Sequence, residues 1–204
     1  MSLFSSSVSI TRYEVQGKIK PPVLETIANG LTKNTISEID NQISGMAVGW
    51  TSFEKPFQPD FGGSIFVYGE YFVFSLRIDK KNIAPKILKK HYTVEAAKRL
   101  ADSGRKDLSK SEKKMIKDHV INTLSLRIPA TPNIYDLVWH HEDSSVWFFS
   151  NLKAANEELE TLFSKSFDLS LIRIFPYTSA FLSTDISDSQ RDELQKISPK
   201  HLFK

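Results

Sequence analysis

Of the 27 lysines and arginines in this chain of 204 residues, 13 fall between Lys80 and Asp118, beside only 5 of its 24 acidic residues. That stretch carries +8 within a net charge of +3. A single surface lysine usually does no more than keep a helix wet. Thirteen together repel one another, because helices that stabilise themselves mix signs at i,i+4. The repulsion is relieved when a polyanion arrives, and displacing the counterions of a nucleic-acid backbone supplies affinity without reading bases. The candidate phosphate contacts are Arg105, Lys106, Lys110, Lys113, Lys114 and Lys117. Arg77, Lys81 and Lys86 precede this group and Arg127 follows it. No zinc-finger spacing, no aromatic RNA-recognition signature and no helix-turn-helix is visible. Such binding would therefore be non-specific and directed at the backbone of double-stranded DNA. A protein-interaction module, with the basic face docking an acidic partner, is the rival without nucleic acid.

Other residue patterns suggest other chemistry. Pro59-Asp60 followed by Asp79-Lys80-Lys81 mimics the spacing of a Mg-dependent nuclease. There Asp60 and Asp79 would hold the ion and Lys81 would position water. The pattern is short, and Asp79 has a simpler role pairing with a neighbouring cation, so no catalytic residue and no cofactor is expected. His140-His141-Glu142-Asp143 contains metal-ligand residue types. Adjacent residues of a strand face opposite ways, however, which suits a hairpin tip better than a shared ion. Tyr68, Tyr71, Phe72, Phe74, Trp147, Phe148 and Phe149 could stack on unpaired bases, although their alternation first indicates core packing. Trp50 and Trp147 read as structural, and Trp139 is open. No nucleophile elbow and no phosphate-cradling glycine loop appears.

Several elements must position these residues. Val8 to Val15 reads as a strand. Pro21-Pro22 opens a helix with Leu24, Ile27, Ala28 and Leu31 on one face. Met46 to Thr51 is a second strand, and Glu54 to Gly63 is a loop. Gly69-Glu70 is a two-residue turn between Ile65–Tyr68 and Tyr71–Asp79, with Phe72, Phe74, Leu76 and Ile78 on one face and Arg77 and Asp79 on the other. A helix begins at Ala84-Pro85, with a break expected near Tyr92-Thr93, and stops at Ser103-Gly104. Ser109 to Glu112 spells a capping box that starts the next helix, which runs to about Leu126 with Ile116, Val120 and Leu124 as its apolar stripe. A second hairpin, Leu137–His141 and Ser145–Phe149, a helix through Leu152 to Phe163 and a strand Leu169–Phe175 complete an α+β fold with antiparallel hairpins. Residues 1–182 read as one domain with a basic helical subregion at 80–127. Residues 183–204 form a polar tail with a short helix Ser187–Ile197. Zero cysteines exclude disulfides and thiolate metal sites. With no leader and no bilayer-spanning run, the expected location is cytoplasmic.

The run from Arg77 to Leu88, Arg-Ile-Asp-Lys-Lys-Asn-Ile-Ala-Pro-Lys-Ile-Leu, resembles the strand-to-helix segment of the recombination-associated RdgC family. Gly104-Arg105-Lys106-Asp107-Leu108-Ser109-Lys110-Ser111-Glu112-Lys113 is similar to a second stretch of that family, as are Lys117-Asp118-His119-Val120, Leu124 and Arg127 after it. Gly49-Trp50 and Val138-Trp139-His140 are looser counterparts. The resemblance implies an α+β homodimer that is nucleoid-associated and binds duplex DNA without sequence preference. It also implies restraint of RecA-dependent recombination by competition for DNA. Family members are longer, so it implies a form shortened at the C-terminus.

Overall fold

Among the described residues the alternating apolar residues build one sheet, and the helical periods build six helices. The computed structural model describes residues 3–182 and 187–196. In chain order the elements are β1 (Thr11–Gln16), α1 (Val23–Lys33), β2 (Met46–Thr51), β3 (Val67–Tyr68), β4 (Tyr71–Lys80), α2 (Pro85–Ser103), α3 (Lys110–Ser125), β5 (Thr131–His140), β6 (Ser145–Phe148), α4 (Lys153–Phe167), β7 (Ser170–Arg173), α5 (Pro176–Leu182) and α6 (Asp188–Lys196). The strands pair antiparallel in the order β2-β4-β5-β6-β1-β7, and β3 shares with β2 the outer edge of β4. The fold is α+β.

The glycine-first turn forms between Tyr68 and Tyr71, which face each other in register. Gly69 takes φ 62° and Glu70 keeps a negative φ, as a type II′ turn requires. One face of the sheet is the core. Phe72, Phe74, Leu76 and Ile78 of β4 meet Leu137 and Trp139 of β5, Val146 and Phe148 of β6, and Tyr13 and Val15 of β1. The amphipathic faces of α1 (Ile27, Leu31) and α4 (Ala155, Leu159, Leu162, Phe163, Phe167) close over them. Burying one such side chain contributes roughly 1.5–3 kcal/mol. Gly49 fits because a Cβ there would meet the Ile36 backbone at 2.4 Å. Trp50 is buried, and its indole N–H donates to Ser166 Oγ at 2.7 Å.

Several sequence expectations need correction. β1 begins at Thr11 rather than Val8, and Val8 and Ile10 are exposed. The first hairpin arm is only Val67–Tyr68, because a 3-10 turn at Gly62–Ser64 occupies the approach. No break occurs at Tyr92-Thr93. The helix continues, and Thr93 returns its hydroxyl to Lys89 O at 2.9 Å. β5 starts at Thr131, six residues before the expected Leu137, and pairs with β4 along its whole length. Pro132 is tolerated near the strand's first residue, where a missing donor costs least. Trp147 is 41% exposed on the outer face of the sheet and is not a core residue. In the expected tail helix, Asp188–Lys196 is helical and Ile197 lies outside the described residues. Among the described residues no helix is long and apolar enough to cross a membrane.

Candidate nucleic-acid interface

The basic segment folds as an antiparallel helical arm inserted between the paired strands β4 and β5. Local signals make each helix. Pro85 occupies the first helical turn of α2, where its missing N–H is no loss. Gly104 ends α2 in the left-handed region at φ 63°, and its N–H donates to Ala101 O at 3.3 Å. The capping box of α3 forms as spelled. Glu112 N–H donates to Ser109 Oγ at 3.2 Å, and Ser109 N–H donates to Glu112 Oε2 at 2.9 Å. Arg105 also grips Glu112. The Ser109 amide first, and then the Arg105 guanidinium and the Ser109 hydroxyl, hold the Glu112 carboxyl at about 2, far below its ordinary 4.5.

The two helices share a small core of their own, separate from the main one. Leu108, Ile116, Val120 and Leu124 are buried against Leu88, Tyr92, Ala96 and Leu100. No residue of α2 is fully buried. With 19 residues, α2 reaches roughly 28 Å from the sheet at 1.5 Å per residue.

Helical geometry sorts the arm's polar residues around this seam. Residues one position before each seam residue turn to one flank. His91, Glu95, Arg99, Met115, His119 and Thr123 accordingly line recesses on that side. Residues one position after the seam turn to the opposite flank, where Lys89 and Lys117 stand, with Lys113 following Glu112. Lys86, Lys90, Lys98, Lys110 and Lys114 project from the outer surfaces. Of the 13 basic residues between Lys80 and Asp118, Lys81 alone is half-buried and the other 12 are exposed. Among the described residues, Arg105–Glu112 is the arm's one ion pair. Apart from Arg105, the arm's cations therefore stand without an ion-paired acid among the described residues.

Two of the sequence candidates do other work. Arg77 is 4% exposed and belongs to the sheet. Its Nε donates to Asp79 Oδ1 at 2.8 Å, and its Nη2 donates to Asp79 Oδ2 at 2.6 Å and to Glu38 Oε1 at 3.0 Å. Burial works against its charge, yet Asp79 and Glu38 outweigh it and raise the guanidinium pKa. The reason lies in the second face of the sheet, where Glu38, Pro56 and Phe57 lie against Arg77. Pro56 O accepts from Arg77 Nη1 at 3.4 Å, and the Phe57 ring lies 5.4 Å from the guanidinium. A phosphate cannot reach Arg77 there. Lys81 is also engaged. Its Nζ donates to Asp40 O and Gln42 O, each at 2.8 Å, and to Ser125 O at 2.5 Å. Ser125 ends α3, so Lys81 ties the base of the arm to the body and places a cation at a helix C-terminus. Asp40 reinforces the joint by accepting from Ala130 N–H at 2.8 Å. This anchor escapes sequence reading because Asp40 and Lys81 are far apart in the chain. Arg127, just beyond α3, is exposed and borders the recessed flank.

The nuclease pattern does not assemble. Both oxygens of Asp79 are held by Arg77, the residue is 1% exposed, and Asp60 Oδ1 accepts from Gly62 N–H at 2.9 Å. Lys81 Nζ is engaged on backbone carbonyls. The histidines part as strand geometry requires. His140 meets Asp143 at 2.6 Å and lies beside Tyr71, while His141 stacks on Phe72. Among the described residues no group of three or more His, Asp or Glu side chains is placed to hold a metal ion. Of the candidate stacking aromatics, Phe72, Phe74, Phe148 and Phe149 are buried, and Tyr68, Tyr71 and Trp147 are exposed. No protein-family model matches the chain, and no curated protein matches it.

Proposed function

We propose that this chain binds double-stranded DNA without sequence preference, with the lysine-bearing surfaces of the α2–α3 arm against the phosphate backbone. One observation carries the reading: the helical arm holds 11 exposed cations between Lys86 and Lys117 and one internal ion pair. Such a surface gains most from a dense line of phosphates. The contacts are Lys86, Arg105, Lys106, Lys110, Lys113, Lys114, Lys117 and Arg127, and Arg77 and Lys81 are withdrawn to structural roles. Each lysine acts as a point charge on the backbone, which positions the protein without selecting bases. The residue pattern similar to RdgC supports the wider reading of a nucleoid-associated homodimer that restrains RecA-dependent recombination by occupying duplex DNA.

Charge reversal tests the assignment. The double variant Lys113→Glu/Lys117→Glu should weaken binding by tenfold or more, equally for unrelated duplex sequences. The slope of log affinity against log salt should fall by about 0.9 for each phosphate the variant no longer neutralises. Unfolding by urea should move by no more than about 0.5 kcal/mol, since both sites are exposed. Unchanged affinity and slope in a folded variant would remove the arm from the interface.

A further inference from the structure

The face of the sheet that turns away from the core carries a recess of about 650 Å³. Strand alternation puts Ile134 and Asp136 of β5 on that face, since the neighbouring Leu137 belongs to the core. Phe4, Phe53 and Tyr68 form its aromatic walls, and Glu54 stands on its lining. The Phe4 and Phe53 rings lie 5.6 Å apart at 51°, and the Phe53 and Tyr68 rings lie 6.4 Å apart at 88°. Solvent reaches these walls: Phe4 is 83% exposed, Tyr68 is 38% exposed, and Glu54 is exposed.

The charge of the recess has one sign. Glu54 and Asp136 line it, and among the described residues no lysine, arginine or histidine does. Asp136 Oδ1 accepts from Ser75 Oγ at 2.8 Å, and its Oδ2 accepts from Leu3 N–H at 2.6 Å. Both donors are neutral, so they satisfy the carboxylate without cancelling its charge. Glu54 Oε1 accepts from the Tyr68 hydroxyl at 2.8 Å, which also fixes that ring. Arg77 donates to Pro56 O on the lining, but Asp79 and Glu38 already hold it. Lys55 follows Glu54 in the chain and is not on the lining. A base stacked on Tyr68 would bring its phosphate towards these carboxylates, which disfavours nucleic acid here.

We infer that this recess is a binding site for a small organic cation of the methylated-ammonium class. Non-parallel rings around one space attract such a cation through their quadrupoles, and quaternary ammonium ions are the characteristic ligands of aromatic cages. Glu54 and Asp136 add the attraction of two negative charges. A primary ammonium fits less well, because it holds its water more strongly. The site is separate from the arm and needs no nucleic acid.

NMR titration of the intact protein with choline, 3,3-dimethyl-1-butanol and ethanolamine tests this. The butanol has the shape of choline without its charge, and ethanolamine has the charge without the methyl groups. Choline should bind about tenfold more tightly than the butanol and about fivefold more tightly than ethanolamine. Phe4→Leu keeps apolar bulk at an exposed position and removes the ring, and it should weaken choline about threefold or more. Glu54→Gln keeps an acceptor for Tyr68 and removes the charge. It should weaken choline about threefold or more and leave the butanol unchanged. Duplex-DNA affinity should stay constant in both variants. No binding of choline, binding no tighter than that of either other probe, or unchanged choline affinity in either variant would overturn the inference. A fall in duplex affinity in Phe4→Leu would overturn it too, by giving the recess to DNA.

Discussion

The sheet and the arm use the same charged residues in opposite ways. In the sheet, Arg77 and Asp79 are two residues apart, almost fully buried, and satisfy each other by two hydrogen bonds. In the arm, lysines stand exposed with few acids to meet them. A buried charge is committed, because its desolvation is repaid only by a fixed partner. An exposed one keeps its water and counterions, and both can be released to a ligand. Density of positive charge in the sequence therefore marks a surface for function only after the buried members have been subtracted. Here the subtraction removes Arg77 and Lys81 and leaves the arm.

The comparison can be broken at the sheet first. Asp79→Ala leaves the buried Arg77 guanidinium with only Glu38 and a backbone carbonyl and should cost about 3–5 kcal/mol in urea unfolding, the largest effect expected of these variants. If it proves nearly neutral, the second face of the sheet is open to water and Arg77 returns to the candidate interface. Lys81→Met tests the joint between the two regions. Loss of charge-assisted hydrogen bonds to backbone carbonyls should cost about 1–3 kcal/mol. The salt slope of DNA binding should not change, and a fall of about 0.9 would make Lys81 a phosphate contact after all.

The smallest effect belongs to the arm's cap. The Glu112 carboxyl is depressed from 4.5 to about 2 in the folded chain. A depressed carboxyl stabilises above its unfolded pKa, and that contribution disappears as pH falls through the folded value. The arm's helicity should therefore decline between about pH 4.5 and 2, read by circular dichroism. Glu112→Gln should lack that step, and its persistence in the variant would assign it to another carboxylate.

What the sequence reveals divides along the same line. The Gly69-Glu70 turn, the Gly104 stop and the Ser109–Glu112 box are read correctly because each is settled within four residues by backbone chemistry. The two-helix arm follows from these signals and from an apolar repeat of four. The fate of Arg77 is settled by Glu38, Pro56 and Phe57, and that of Lys81 by Asp40, Gln42 and Ser125. No local pattern announces partners so distant. The same distance effect defeats the metal spacing at Asp60 and Asp79. Alternation likewise marks Trp147 as a strand residue, but only tertiary packing decides that α1 and α4 cover the other face.

The arm leaves the sheet at Lys80 and returns at Thr131, and these two residues are direct partners on one rung of the β4–β5 ladder. A floppy segment of that length would charge strand pairing a ring-closure penalty growing as the logarithm of its length. Two helices zipped along a shared seam bring their outer ends together beforehand, so the ladder closes over a short effective gap. The projecting element thereby serves the polypeptide's own assembly as well as any ligand it meets.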